Sequence, residues 1–419
     1  MEKNLSIIIE DLIKELKKFL PAQETEKFIN LFHNVEEKIT SDDSFSDENL
    51  YQVNKEVDSG SDIREQIDKL ITFAEKKLPQ KDYLLLSISI SELLINYGEF
   101  DLCEDIINDI IKQARESKES IILGDAWLQQ AKVEWNQGNW EPAKRACTKA
   151  ALLFSASGYE IGLAKCENLL GTICGEKGEI DKAENHFKKG LEIQKYTSND
   201  TLIVHLNNNL AIINTIRGDF ESATRYLDKA LPAVKKLNDA KAESRIHHNI
   251  ASLKSQMCKY EESLEYFDNA INLSIEKGYL TNCAISFIGK ANSYSKLGKQ
   301  DLSDAFVEKA LEISYKINDR LSIADAYRVK GIIQKNLNNY DLSAEFFENS
   351  IRLNEDFKNE ANQAETSVEL ADLIKDSDEA KDSGALLNKA KKYYKKINAT
   401  EKLKSIDDFK KNKKKDDDK

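Results

Sequence analysis

The short segments Gly98-Glu99-Phe100, Gly138-Asn139-Trp140, Gly178-Glu179-Ile180 and Gly218-Asp219-Phe220 follow one another at intervals of 40 residues. Cys258-Lys259-Tyr260, Gly298-Lys299-Gln300, Asn338-Asn339-Tyr340 and Asp378-Glu379-Ala380 continue the register without a slip. Self-similarity at a fixed period of this size is the mark of a repeat array. Seven residues before each turn stand Ser91, Ala131, Gly171, Ala211, Ala251, Ala291, Gly331 and Ala371. Five residues after it stand Cys103, Ala143, Ala183, Ala223, Ser263, Ser303, Ser343 and Ser383. Both columns are small throughout. Gly, Ala and Ser make up roughly one residue in five of an average chain, so eight from eight by chance is on the order of a few in a million. Nine residues after the turn the column is apolar: Ile107, Cys147, Phe187, Leu227, Phe267, Val307, Phe347 and Leu387.

These columns predict two helices per repeat, one on each side of the turn. Small residues belong where the helices cross, because backbones approaching to about 8 Å leave no room for Leu. The apolar column is expected to fill the gap between one repeat and the next. Spacings of three and four, as in Leu227, Ala230, Leu231 and in Phe347, Ser350, Ile351, keep those residues on one helical face. No single pair buries that face alone, so the pairs must stack into a solenoid.

Composition agrees. The 419 residues include only 4 Pro and 16 Gly, few breakers for a chain of this length, and this favours an all-α class. The 41% apolar content is too high for global disorder. The chain carries 61 Lys+Arg against 73 Asp+Glu, a net charge of −12, and no nucleic-acid partner is expected without a basic field. Ile7-Ile8-Ile9 is broken at once by Glu10 and Asp11, too short for a secretory signal. No run approaches the roughly 20 apolar residues of a membrane-spanning helix. The cysteines Cys103, Cys147, Cys166, Cys174, Cys258 and Cys283 form no Cys-x-x-Cys pair and read as small buried residues of a cytoplasmic protein.

Small residue, turn Gly, aromatic, small, apolar and Ala-Leu at these offsets resemble the tetratricopeptide repeat. Tyr226-Leu227-Asp228-Lys229-Ala230-Leu231 and Phe267-Asp268-Asn269-Ala270-Ile271 follow its second-helix pattern. The 40-residue period is similar to the long-helix subtype of kinesin light chains, spindle-orientation adaptors and bacterial peptide-sensing Rap-type regulators. The resemblance covers residues 82–397, about eight repeats. It implies an all-α fold, a right-handed α-solenoid of antiparallel helix pairs whose first helices line a concave groove. The chain departs from the pattern by lacking the closing proline of the repeat. Only Trp127 supplies the large aromatic residue near the start of a first helix.

Outside the array, Ile8, Ile9, Leu12, Ile13, Leu16, Phe19 and Leu20 form one apolar stripe, and Phe28, Leu31, Phe32, Val35 and Ile39 a second. Residues 1–39 are therefore expected to form a helical hairpin that folds back on the first repeats or pairs with another copy. Residues 40–60 form an acidic linker. Residues 61–81 carry the helix of a degenerate repeat, and 398–419 a cap and a Lys/Asp tail. Residues 1–60 hold 7 Lys against 14 Asp+Glu, over half of the net charge.

No catalytic, metal or cofactor motif is present. Neither a Gly-rich phosphate loop nor a nucleophile elbow occurs. His247 and His248 are adjacent, so they point to different faces of a helix. The informative polar residues lie on first helices, in His205-Leu206-Asn207-Asn208-Asn209-Leu210-Ala211 and Arg245-Ile246-His247-His248-Asn249-Ile250-Ala251. Asn is a poor helix former, so three in succession ask for a reason. Bonds between neighbouring helices would explain them. So would the groove: in the long-helix subtype an Asn just before the Leu-Gly step holds the main chain of an extended peptide. Asn209 and Asn249 match that place, Asn208 adjoins it, and Asn292 matches a second such place. Arg245, His248 and Arg328 would add positive potential on the same face, suiting an acidic or carboxylate group. Trp127 and Trp140 fall in packing columns, whereas Trp135 stands as an aromatic anchor candidate. The carboxylate clamp of chaperone-binding repeats is incomplete, because Asp325 and Val329 occupy its places after Asn292.

The expected function is a non-enzymatic adaptor holding a protein or peptide ligand in its concave groove. Two alternatives are a Rap-like peptide-sensing regulator of a signalling protein, and a self-assembling scaffold forming a homo-oligomer through the N-terminal hairpin.

Overall fold

The structure, a computed structural model, describes residues 8, 11–27, 59–197, 199–357, 359–376, 383–400 and 402–408. The second stripe of the expected hairpin, nearly all of the acidic linker, the turn Asp378-Glu379-Ala380 and the charged tail lie outside the described residues. Regular structure among the described residues is entirely helical. A leading helix α1 (Ser59–Lys77) precedes eight helix pairs: α2 (Gln80–Tyr97) and α3 (Phe100–Glu116), α4 (Ser120–Asn136) and α5 (Trp140–Ala156), α6 (Glu160–Glu176) and α7 (Ile180–Thr197), α8 (Asp200–Arg217) and α9 (Phe220–Leu237). The array continues with α10 (Ala240–Gln256) and α11 (Tyr260–Lys277), α12 (Leu280–Lys296) and α13 (Gln300–Lys316), α14 (Arg320–Asn336) and α15 (Tyr340–Asp356), α16 (Glu360–Asp376) and α17 (Gly384–Lys396). The fold is a helical solenoid. It divides into two compact units, Met1–Leu169 and Leu170–Lys419.

The small columns have a direct physical cause. Ser303 Oγ donates to the Ala291 carbonyl at 2.7 Å, and Ser343 Oγ to the Gly331 carbonyl at 2.8 Å. Each bond joins one small column to the other across the crossing of a pair, so a hydroxyl there is satisfied by backbone that only a small residue lets approach. The apolar column does more than bridge repeats. A Cβ built on Gly331 would stand 2.6 Å from the Phe347 ring, and one on Gly289 2.4 Å from the Phe267 ring. Phe347 thus packs on the first helix of its own pair, and Phe267 on that of the following pair.

Loops recur every half period. Gly98, Gly138, Gly178, Gly218 and Gly298 take left-handed backbone in the turns within pairs, and the equivalent residues Cys258 and Asn338 adopt φ of 60° and 61°. Lys118, Gly158, Asn238, Gly278 and Asn318 do the same between pairs, and Asn398 after the last pair. Cys258 departs from the expectation for the cysteines. The other five are buried, while Cys258 is exposed because it holds a turn position that its neighbours give to glycine. A side chain with a Cβ costs about 1 kcal/mol there. Cys258→Gly is therefore expected to raise stability by about 1 kcal/mol. Urea melts of the two proteins measure it, and an unchanged or lower midpoint would contradict it.

In the first unit, Ile8, Leu12, Leu16 and Leu20 are buried in one cluster with Ile67, Leu70 and Leu84. Tyr97 donates to Asp11 Oδ2 at 2.8 Å, and Lys77 pairs with Glu24 at 3.1 Å. The first stripe thus folds back on α1 and α2.

Candidate binding channel

In the second unit the first helices touch one another in succession, α8 with α10, α10 with α12, α12 with α14 and α14 with α16. That places them on the inside of the curve. The curve comes round on itself: Asn398 Nδ2 donates to Asp181 Oδ2 at 3.1 Å. A Cβ on Gly178 would meet Tyr393 and Lys396 at 3.4 Å. Side chains on the inner faces therefore keep some access to water while protein surrounds them.

Of the sequence candidates, Asn208 and Asn249 meet each other, Asn249 Nδ2 donating to Asn208 Oδ1 at 2.7 Å. Asn208 is 4% exposed, so this amide pair joins α8 to α10. Asn207 Nδ2 donates to the Ile203 carbonyl at 2.7 Å, which answers part of the question raised by three successive Asn. Asn209 is half-buried. His248 Nδ1 lies 3.2 Å from Ser286 Oγ, and its ring meets the Phe267 ring edge-on at 5.6 Å. Loss of water pushes its pKa down to about 4, so His248 is neutral at pH 7 and adds no positive charge, against expectation. Arg245 keeps an exposed surface, yet the surrounding protein lowers its proton affinity, as it does for Lys241, which Arg245 further repels.

Arg328 keeps its charge, but among carboxylates. Loss of water opposes its charge, but Glu365, Asp325 and Glu369 more than offset this. Around it runs a polar ladder: Asn362 Nδ2 donates to Asp325 Oδ1 at 2.6 Å, and Lys402 Nζ to Glu365 Oε1 at 2.6 Å. Lys402 holds the Glu365 carboxyl down at about 2. Desolvation pushes Asp325 up to about 6, Arg328 only partly opposing it. The inner face is thus polarised, cationic at Lys241 and Arg245 and rich in carboxylates from Asp325 onward.

Three buried polar atoms on this face find no hydrogen-bond partner in the protein: Asn282 Nδ2, Asn292 Oδ1 and Arg328 Nε. Asn292 and Arg328 are sequence candidates, and the structure adds Asn282, Lys241, Asp325 and Glu365. Trp135 belongs to the first unit, where it is half-buried with Nε1 unpartnered. Among the described residues no group of three or more His, Cys, Asp or Glu side chains is placed to hold a metal ion. No helix there is long and apolar enough to cross a membrane.

The raised carboxyl gives a testable pH profile. Folded Asp325 binds its proton more tightly than the unfolded residue, near about 4. The stability this contributes is complete below about pH 4 and is lost as pH rises through about 6. Asp325→Asn keeps an acceptor for Asn362 and is expected to remove that decline, so the two melting profiles converge toward low pH, separate between about pH 4 and 6, and run parallel above. Profiles parallel at every pH would contradict the assignment.

Family models described as tetratricopeptide repeat match residues 123–195, 202–276 and 242–316, and a further one residues 324–357. Together they span just over half of the chain. The chain belongs to the tetratricopeptide repeat family. No curated protein matches it in sequence. As a tetratricopeptide repeat fold it is similar to a Rap protein solved in complex with competence and sporulation factor, at TM-score 0.60 and 16% identity over 86% of this chain and 97% of that one. It is also similar to the Rap conjugation gene regulator of plasmid pLS20 in complex with the Phr* peptide, at TM-score 0.58 and 16% identity over 85% and 94%. The apo quorum sensor NprR from B. thuringiensis aligns at TM-score 0.52 and 13% identity over 81% and 93%. At these identities the likeness concerns the repeat fold.

Proposed function

We propose that this tetratricopeptide repeat protein is a non-enzymatic adaptor whose second unit binds an extended peptide along the inner faces of α8, α10, α12, α14 and α16. The observation that carries the reading is the set of unpartnered polar atoms Asn282 Nδ2, Asn292 Oδ1 and Arg328 Nε, two donors and an acceptor on neighbouring helices. A peptide main chain offers the complementary groups in alternation. Polarity adds direction: an acidic or carboxylate end suits Lys241 and Arg245, and a basic end suits Asp325, Glu365 and Glu369. Peptide complexes of two similar Rap proteins support the reading, and the free thiols suit a cytoplasmic address.

The test is selection of short random peptides on the full chain, followed by titration calorimetry. Selected sequences are expected to carry opposite charges at their two ends and to bind more weakly at high salt. Absence of binders, or binders indifferent to Arg245→Ala, would overturn the reading.

A second reading, a Rap-like regulator of a signalling protein, has support in Ile8, Leu12, Leu16 and Leu20 packed on α1 and α2 and in the extent of the Rap likeness. Assay of dephosphorylation of phosphorylated response regulators separates the two, because the adaptor is inert in it.

A further inference from the structure

The repeat contains its own template for a second binding place, in the first unit. In three later pairs a ring on the first helix meets a ring on the second: His247 with Tyr266, Phe287 with Phe306 and Tyr327 with Phe346, at 5.9, 5.9 and 5.8 Å between centroids. The same two places in the pair α4–α5 hold Trp127 and Ala146. The first ring is present and the second is missing. Around Phe306 the ring is enclosed by Phe287, by Tyr294 stacked at 5.5 Å, and by the ammonium groups of Lys290 and Lys309 at 4.2 and 5.4 Å. Lys149 stands where Lys309 does, one of these two cations, and with no second ring to cover it lies on the Trp127 face at 3.9 Å.

Where the ring is missing there is a hollow of about 260 Å³, lined among others by Trp127, Ala146, Lys149, Asn108 and Glu134. An apolar cavity of roughly 150 Å³ already accepts benzene, so the space suffices for an aromatic side chain. Its chemistry also fits. Trp127 offers a face for stacking and Lys149 a cation for the face of an incoming ring, while Glu104 and Glu134 suit the electropositive edge of a ring. Lys149 is exposed and moves aside without disturbing the core.

We propose that this hollow receives an aromatic side chain presented by a partner protein, which completes the ring pair that Phe306 and Phe346 complete within the chain. The inference is independent of the peptide channel, which lies in the other unit.

The test uses the full chain with its tryptophans labelled with ¹⁵N at the indole, the Trp127 signal being identified by its loss in Trp127→Phe. N-acetyl-tyrosine amide is the probe and N-acetyl-leucine amide its control. The expected result is a saturable shift of the Trp127 signal with the tyrosine probe, and binding of the leucine control at least about fivefold weaker. Ala146→Phe, which supplies the missing ring from inside, is expected to abolish the shift and to raise the melting temperature. Lys149→Ala, which uncovers Trp127, is expected to change the probe's affinity. Equal binding of the two probes, no saturable shift, or an undiminished shift in folded Ala146→Phe would overturn the proposal. If Ala146→Phe does not fold, Ala146→Leu, which fills part of the hollow, decides by weakening the probe or leaving it unaffected.

Discussion

Phe347→Ala is expected to destabilise the array by about 3–5 kcal/mol, the usual cost of emptying a fully enclosed aromatic site. Phe347 is 0% exposed and fits against Gly331 so closely that a Cβ on the glycine would sit 2.6 Å from its ring. The pair therefore makes a sharper prediction than either residue. Gly331→Ala alone forces the ring off its place and is expected to cost about 1–3 kcal/mol of overpacking, despite the better helix propensity of Ala. In the Phe347→Ala background the same change meets an empty site and becomes neutral or favourable. The double-mutant cycle thus has a coupling energy of at least about 1 kcal/mol. Additive effects would show that the glycine is there for another reason. Because a solenoid's stability is a sum over repeats and their neighbours, the loss is expected to appear first as faster amide exchange in α14 and α15.

That contact shows how the sequence could be read and where reading stopped. Columns at a strict interval of 40 isolate Gly331 and Phe347, since a small and an apolar residue recur at these two places in every pair. The polar ladder escapes a period of 40, because its partners do not stand 40 apart. Asp325 and Asn362, Glu365 and Lys402, and Lys335 and Asp372 are each separated by 37 residues. Asn208 and Asn249, like Ser295 and Asn336, are separated by 41. Neighbouring first helices run at a tilt, so a side chain meets its partner about a turn earlier or one residue later than its own equivalent. A comparison at 37 and 41 would have set Asn208 beside Asn249 and Asp325 beside Asn362. The charge on His248 was beyond such a comparison, since it depends on how much water the surrounding protein removes. Asp325 was visible only as an obstacle to a carboxylate clamp. Its companions Asn362, Glu365 and Lys402 give it a place of its own in the channel.

Asn282→Ala together with Asn292→Ala is expected to weaken a channel-bound peptide at least about tenfold, because each deleted amide removes about 0.5–1.5 kcal/mol of net hydrogen bonding. The effect on the free protein separates a binding role from a structural one. An amide that holds two helices together, as Asn249 does with Asn208, leaves a buried partner unsatisfied when it is removed, at about 1–3 kcal/mol. Asn282 Nδ2 and Asn292 Oδ1 have no partner to abandon, so their loss is expected to leave the melting temperature unchanged or slightly higher. Asn249→Ala serves as the contrasting variant: it lowers stability through Asn208. A fall in affinity with unchanged stability marks residues kept for a ligand. A fall in stability with unchanged affinity would return Asn282 and Asn292 to the packing of α12 and remove the principal support for the channel.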